Sequence, residues 1–212
     1  RLKANNPDSL SPADHLGDQH LKAYLETERT FQGLELYTQH RAPTIGVQAQ
    51  LPILLAEYEF YREEDIDDYF SLLEGLGAYF DQILSLEQEK ASQGLMMSDD
   101  AIDRVLDSCE PYLDSSENCV LAGTFSERLD RLNGLDSAKK EDYVRRHEEL
   151  IRTAFVPAYE KPMEGLSGLK GSGKVQGGLC RYPDGREYYR YLVYSSTYTS
   201  CRDVTTLRKT IE

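Results

Sequence analysis

Near the C-terminus, Arg181, Tyr182, Arg186, Tyr188 and Tyr189 fall within one short stretch, GGLCRYPDGREYYRYLVY from Gly177 to Tyr194. Guanidinium groups and phenol hydroxyls at this density suit a groove that binds peptide carbonyls or a carboxylate. Arginine offers a planar fork of charged donors, and tyrosine an apolar ring with a polar tip. These five are the candidate substrate-binding residues. The plainer alternative is a core role for the rings, with Tyr188, Leu192 and Ser195 on one helical side and Tyr189 and Val193 on another. Pro183-Asp184-Gly185 is expected as the turn before that helix, with glycine at positive φ.

No catalytic set accompanies them in the sequence. A zinc hydrolase helix needs two histidines one turn apart with a glutamate between them. The nearest match, His147-Glu148-Glu149-Leu150-Ile151, has isoleucine in the second ligand position and reads as a surface patch on an apolar-backed helix. His15 and His20 do not share a helical face, and His40 stands alone. There is no Gly-x-Ser-x-Gly elbow. Gly168-Leu-Lys-Gly-Ser-Gly-Lys174 lacks the spacing of a phosphate loop and reads as a flexible linker. The pairs Asp67-Asp68 and Asp99-Asp100 sit where acidic residues stabilise helix starts, without calcium-loop spacing. No catalytic residue, metal ligand or cofactor is therefore expected in this chain.

The 212 residues include 37 acidic and 24 basic side chains, a net charge of −13, which argues against a nucleic-acid partner. No apolar run approaches the roughly 18 to 20 residues of a membrane span, and residues 1 to 10 lack the apolar core of a signal peptide. The chain is expected to be soluble, any export signal having been removed. Cys109, Cys119, Cys180 and Cys201 are too sparse for a disulfide scaffold. Two local bridges are sterically conceivable in an oxidising compartment, but free buried thiols are the favoured reading.

Helices must position whatever the arginine and tyrosine residues do. Ser11-Pro12 opens one that runs to about Tyr37, with Leu21, Tyr24, Leu25, Phe31 and Leu34 as its apolar stripe. A loop with an extended portion follows, and Pro52 restarts a helix. Ile66, Tyr69, Phe70, Leu73, Leu76, Phe80, Ile83 and Leu84 then mark one buried face, in which Gly75 and Gly77 suggest close packing against another backbone. Ser98 caps the next helix and the polar run Asp114–Asn118 closes it. Another spans roughly Val120 to Leu132 and stops at Asn133-Gly134. A long helix opens at Asp136 or Ser137 and is expected to kink or divide at Pro157 and Pro162. Asp203 is the expected cap of a last helix. The fold class is all-α, an irregular multi-helix array with at most a short β-ribbon near 44–50 and 179–182. Residues 1–212 read as one helical domain or a fragment of a larger protein, with a glycine-rich hinge at 165–178 and a tyrosine-rich segment at 179–212.

Four separated blocks occur together in a familiar order: DQHLKAYLETE at 18–28, GVQAQLPILLAEYEFY at 46–61, the stretch from Glu64 to Asp107, and Leu179 to Val193. In these the chain resembles the bacterial family known as domain of unknown function 885, in its clostridial lipoprotein branch. The resemblance covers about residue 8 to 212, and none of its blocks is a catalytic motif. It implies a mostly helical protein of more than twice this length, exported and often lipid-anchored, with a gluzincin-like HExxH zinc site in its C-terminal half. None of those zinc ligands has a counterpart at any position here.

The expected function is therefore that of a non-catalytic helical portion of a secreted zinc-dependent peptidase-like lipoprotein, forming part of a substrate channel wall and inactive alone. The alternative is an independent cell-surface module that binds a peptide or glycan. Expected partners are the remainder of the parent chain and a peptide substrate, with no nucleic acid. A dimer through an exposed apolar patch near the C-terminal helix is also expected. The expected location is extracellular or at the cell surface.

Overall fold

The computed structural model describes residues 10–113, 119–175, 177–197 and 204–211, the last of these without the side chains of 204, 207, 210 and 211. Among the described residues all regular structure is helical, in two compact units. The first comprises residues 1–38 and 177–212, and the second residues 39–176. The all-α class holds, and the short β-ribbon allowed as an upper limit near 44–50 and 179–182 does not form among the described residues. Val47–Ala56 is an α-helix and Leu179–Arg181 a 3-10 turn.

In the first unit, α1 (Pro12–Thr30) starts as expected, with the Ser11 hydroxyl accepting from the Asp14 N–H at 3.2 Å. It ends seven residues short of the predicted Tyr37. Gly33 adopts φ +84°, and the chain resumes as a 3-10 turn at Glu35–Tyr37. The predicted stripe holds at Leu34, which is buried, but Leu21, Tyr24 and Leu25 are exposed, and Thr27 and Tyr37 are buried in addition. Across from these lie a 3-10 turn at Leu179–Arg181 and a 13-residue helix, Gly185–Thr197. A shorter helix follows at Val204–Ile211. The predicted cap Asp203 and Cys201 lie outside the described residues.

The second unit is built on α3 (Glu64–Gln93), preceded by α2 (Val47–Ala56). Ile66, Tyr69, Phe70, Leu73, Leu76, Phe80 and Ile83 recur at three- and four-residue steps along α3, and all are buried. Each such side chain contributes about 1.5–3 kcal/mol through removal from water. Gly75 and Gly77 do not mark a close backbone approach, since a Cβ on either would meet nothing within 4 Å. Gly165 on α7 instead packs against the Leu84 side chain of α3, where a Cβ would clash.

α4 (Asp99–Cys109) is capped by Ser98, and α5 (Val120–Arg131) ends just before Gly134 at φ +93°. The stretch Asp114–Asn118 lies outside the described residues. α6 (Ser137–Leu150) opens on Asp136, whose carboxylate accepts from the Lys139 N–H at 2.8 Å. The predicted break near Pro157 is a single π-helical turn, Ile151–Phe155, which leads into α7 (Val156–Ser167). The wider turn absorbs the missing Pro157 N–H at the start of α7. After α7 the glycine-rich loop is tied to the first turns of α4. The Gly171 N–H donates to Asp99 Oδ1 at 2.8 Å, and Lys170 pairs with Asp103.

Pro52 corrects another expectation, because it lies inside α2 rather than at its start. A proline at this position denies the Gln48 carbonyl its helical donor. The Tyr159 hydroxyl replaces that donor at 2.9 Å. At the other end of α2, the buried Arg128 guanidinium donates to the carbonyls of Leu55 at 2.9 Å and Tyr58 at 2.8 Å. Helix ends leave such carbonyls unpaired, so Arg128 serves as a C-terminal cap supplied by a distant helix.

Candidate ligand-binding groove

The longer C-terminal helix of the first unit, labelled α8 (Gly185–Thr197), is held in place at its first turn. A Cβ at Gly185 would collide with the Leu179 carbonyl, so only glycine lets the helix begin so close to the preceding 3-10 turn. This corrects the expected role, because Gly185 takes no positive φ. Tyr37 secures the same point: its hydroxyl oxygen accepts from the Asp184 N–H at 2.9 Å and its proton faces Asp184 Oδ2 at 3.5 Å.

Rings fix the rotation of α8. Tyr188 packs against Tyr37 with centroids 5.6 Å apart, and Phe31 stacks on Tyr191 at 4.8 Å. With Tyr188 and Tyr191 turned inward, the 3.6-residue period turns Arg186, Tyr189 and Arg190 outward. Tyr188 is 8% exposed and Tyr189 49%, so two adjacent tyrosines have opposite surroundings.

Arg186, Tyr189 and Arg190 line a cavity of about 410 Å³ with Leu179, Cys180, Gly185 and Thr205. This volume falls within the usual range for small-ligand sites. The two arginines are one helical turn apart. Arg190 Nη1 bonds Glu187 Oε1 at 2.5 Å, whereas no protein partner holds Arg186 among the described residues. Of the five residues chosen from sequence, the groove brings together Arg186 and Tyr189. Tyr188 lies behind it as support. Tyr182 is half-buried, edge-on to Tyr37 at 6.3 Å, and its burial raises the phenol pKa. Arg181 is exposed and does not line the cavity. Sequence reasoning missed Arg190 and Cys180. Arg190 was findable from its i, i+4 spacing to Arg186, but Cys180 joins the groove only through the fold of the 3-10 turn.

A larger cleft of about 660 Å³ in the second unit runs along α5 and α6 and includes His147, Phe125, Arg145 and Glu148 among its lining residues. His147 is not the surface residue expected from its half-motif, being 1% exposed. Its ring stacks on Phe125 with centroids 4.0 Å apart, and its Nε2 lies 3.1 Å from the Tyr69 hydroxyl. Burial, aided by the Arg128 charge, pushes its pKa down to about 3. A general base works best with a pKa near the operating pH, so this imidazole is a structural acceptor for Tyr69 rather than a poised catalyst.

Cys109 and Cys119 are free and buried, and burial raises the Cys109 thiol to about 11; Cys180 is free and exposed. Among the described residues no three His, Cys, Asp or Glu side chains converge in a way that could hold a metal ion. The described residues therefore do not fit the zinc that the family resemblance implies. No helix among them is long and apolar enough to cross a membrane.

These features define an all-α protein with an arginine- and tyrosine-lined groove on its terminal helical unit. The chain belongs to the family described as bacterial protein of unknown function (DUF885), which matches residues 1–205. No curated protein matches it. Among solved structures it is similar to the protein described as "the putative lipoprotein from Colwellia psychrerythraea", with a TM-score of 0.69 and 15% identity. That likeness covers 76% of this chain and 28% of the other, so the chain spans less than a third of that protein's length. At this identity the similarity concerns the fold.

Proposed function

We propose that this chain is the non-catalytic helical portion of an exported, lipid-anchored, zinc-dependent peptidase-like protein, and that its α8 groove forms part of a substrate channel wall. The observation that carries this reading is the placement of Arg186 and Arg190 one turn apart beside the exposed ring of Tyr189, on a cavity of about 410 Å³. A guanidinium pair of this kind takes a carboxylate, and the tyrosine ring gives the adjoining peptide an apolar surface. An extended peptide held against a rigid helix is aligned for reaction elsewhere, which is the contribution a wall makes to catalysis. Family membership and the description of the Colwellia protein support the exported, lipid-anchored setting. The described residues supply binding and positioning only, and no chemical step is assigned to them.

The remainder of a longer parent chain is the proposed protein partner. The exposed apolar side chains near the C-terminal end of the chain that are available for such a contact include Tyr189 and Leu192 on α8. Self-association through such a patch would show in light scattering as a mass that rises with concentration.

The test is fluorescence anisotropy with labelled peptides carrying either a free or an amidated C-terminus, alongside a hydrolysis assay on the same peptides. The free carboxylate should bind tenfold or more tightly, and Arg186→Ala should remove that preference. Equal binding of both forms would overturn the carboxylate assignment, and hydrolysis by this chain would overturn its non-catalytic role. Tight glycan binding at the groove without peptide binding would favour the independent cell-surface module.

A further inference from the structure

His147 has a second ring nitrogen that the core of the second unit does not use. The residue lines the cleft of about 660 Å³ along α5 and α6. Its ring lies flat on Phe125, 5° from parallel, and beside Tyr69 with centroids 5.7 Å apart. Its Nε2 faces the Tyr69 hydroxyl, whereas Nδ1 bonds no group among the described residues. Buried polar atoms are normally paired, so an idle nitrogen on a residue that is almost wholly buried, at the wall of a cavity, calls for a partner.

The neighbouring bonds fix where the ring proton sits. Arg128 Nη2 donates to the Tyr69 oxygen at 3.4 Å, which leaves the phenol proton to point at His147 Nε2. Nε2 therefore accepts, and the neutral imidazole carries its single proton on Nδ1. Because Nε2 is turned inward to α3, the ring edge bearing Nδ1 is the one left for the cleft.

The rest of the cleft suits an uncharged ligand. Gly123 opens its α5 wall, since a Cβ there would meet nothing within 4 Å, and Phe125 and Ile151 add apolar surface. The arginines on the lining are already paired, Arg145 with Asp142 and Arg152 with Glu149, and Glu148 contributes a further carboxylate. An anion would meet these carboxylates, and a metal ion would meet a protonated nitrogen. Ile151 and Arg152 also belong to the π-helical turn, a feature frequent at functional sites.

We infer that the α5–α6 cleft binds a neutral amide carbonyl, as in a peptide main chain, and that the Nδ1–H of His147 donates to its oxygen. Arg128, Tyr69 and His147 then form a line of donors ending on the ligand, each bond polarising the next. The site lies in the second unit and does not rest on the carboxylate reading of the α8 groove.

The experiment is nitrogen-15 NMR of the histidine side chains in the full chain, with isovaleramide as the probe and isovalerate as its carboxylate counterpart of the same shape. The unliganded protein should show His147 with its proton on Nδ1 and a bare Nε2. Isovaleramide should shift the His147 Nδ1 resonance and the backbone amides of Gly123 and Ser126, and should bind about tenfold more tightly than isovalerate. Gly123→Leu, which puts a side chain into the open wall, should weaken amide binding about tenfold or more. A proton on Nε2, an unmoved His147 resonance, a preference for isovalerate, or undiminished binding in Gly123→Leu would each overturn the inference. The wild-type spectra decide the matter even if the variant does not fold.

Discussion

The hydroxyl of Tyr159 on α7 donates to the backbone carbonyl of Gln48 on α2 at 2.9 Å, and that carbonyl is the one Pro52 deprives of its helical donor. The bond joins residues 111 positions apart in sequence. An apolar helix can therefore carry an interior proline, because a buried carbonyl that would otherwise be orphaned is satisfied from outside the helix.

Tyr159→Phe removes the donor while keeping the ring. It should cost about 1–3 kcal/mol in urea denaturation. Much of that cost should vanish in a Pro52→Ala background, where the restored backbone N–H of the substituted residue bonds the Gln48 carbonyl instead. Equal costs in the two backgrounds would show that the hydroxyl does not act on this carbonyl.

The acid limb of stability should carry the signature of His147. Its folded pKa of about 3 lies below the ~6.5 of an unfolded histidine. Between these values the unfolded state binds a proton that the folded state excludes. The contribution is fully present above ~6.5 and is lost as pH falls, at about 1.4 kcal/mol per pH unit. His147→Phe should have a flatter acid limb than wild type when unfolding free energy is measured from pH 6.5 to 4. Parallel limbs would contradict the assignment.

Arg128→Met should lower stability by about 2–4 kcal/mol, since it leaves the carbonyls of Leu55 and Tyr58 buried without a donor. It also removes a cation from the faces of Tyr69 at 4.8 Å and Phe60 at 5.0 Å. Hydrogen exchange should localise the loss to the C-terminal end of α2. Uniform loosening of the second unit would count against the capping role.

The adjacent tyrosines of α8 should respond differently to truncation. Tyr188→Ala removes a buried ring packed on Tyr37 and should destabilise by about 3–5 kcal/mol. Tyr189→Ala should leave the melting temperature within a degree or two and weaken only peptide binding, because its ring is half exposed. The reverse pattern in circular-dichroism melts would place Tyr189 in the core.

The sequence was most legible where one periodicity controls the outcome. The α3 stripe from Ile66 to Ile83 is buried as its spacing requires, and the caps at Ser11, Ser98 and Asp136 form where short polar side chains precede helical runs. Two of the five candidate residues, Arg186 and Tyr189, also line the α8 groove, because their positions on one helix follow from the local spacing. It could not be read from spacing alone that Tyr188 turns inward and Tyr189 outward, since either ring fits either environment.

The amino-acid order by itself determined the all-helical class, the main buried face and the absence of a complete HExxH motif, because these depend on residues within a few turns of one another. Tertiary structure alone decided that Pro52 stays inside a helix, that His147 is buried and that Arg128 caps α2. It also decided that Gly185 serves close approach rather than a left-handed turn. Each of these depends on a partner brought from another segment: Tyr159 for Gln48, Phe125 for His147, Leu55 and Tyr58 for Arg128, and the Leu179 carbonyl for Gly185. Local propensity cannot anticipate such a donor, ring or carbonyl, because its position is fixed only when the helices pack.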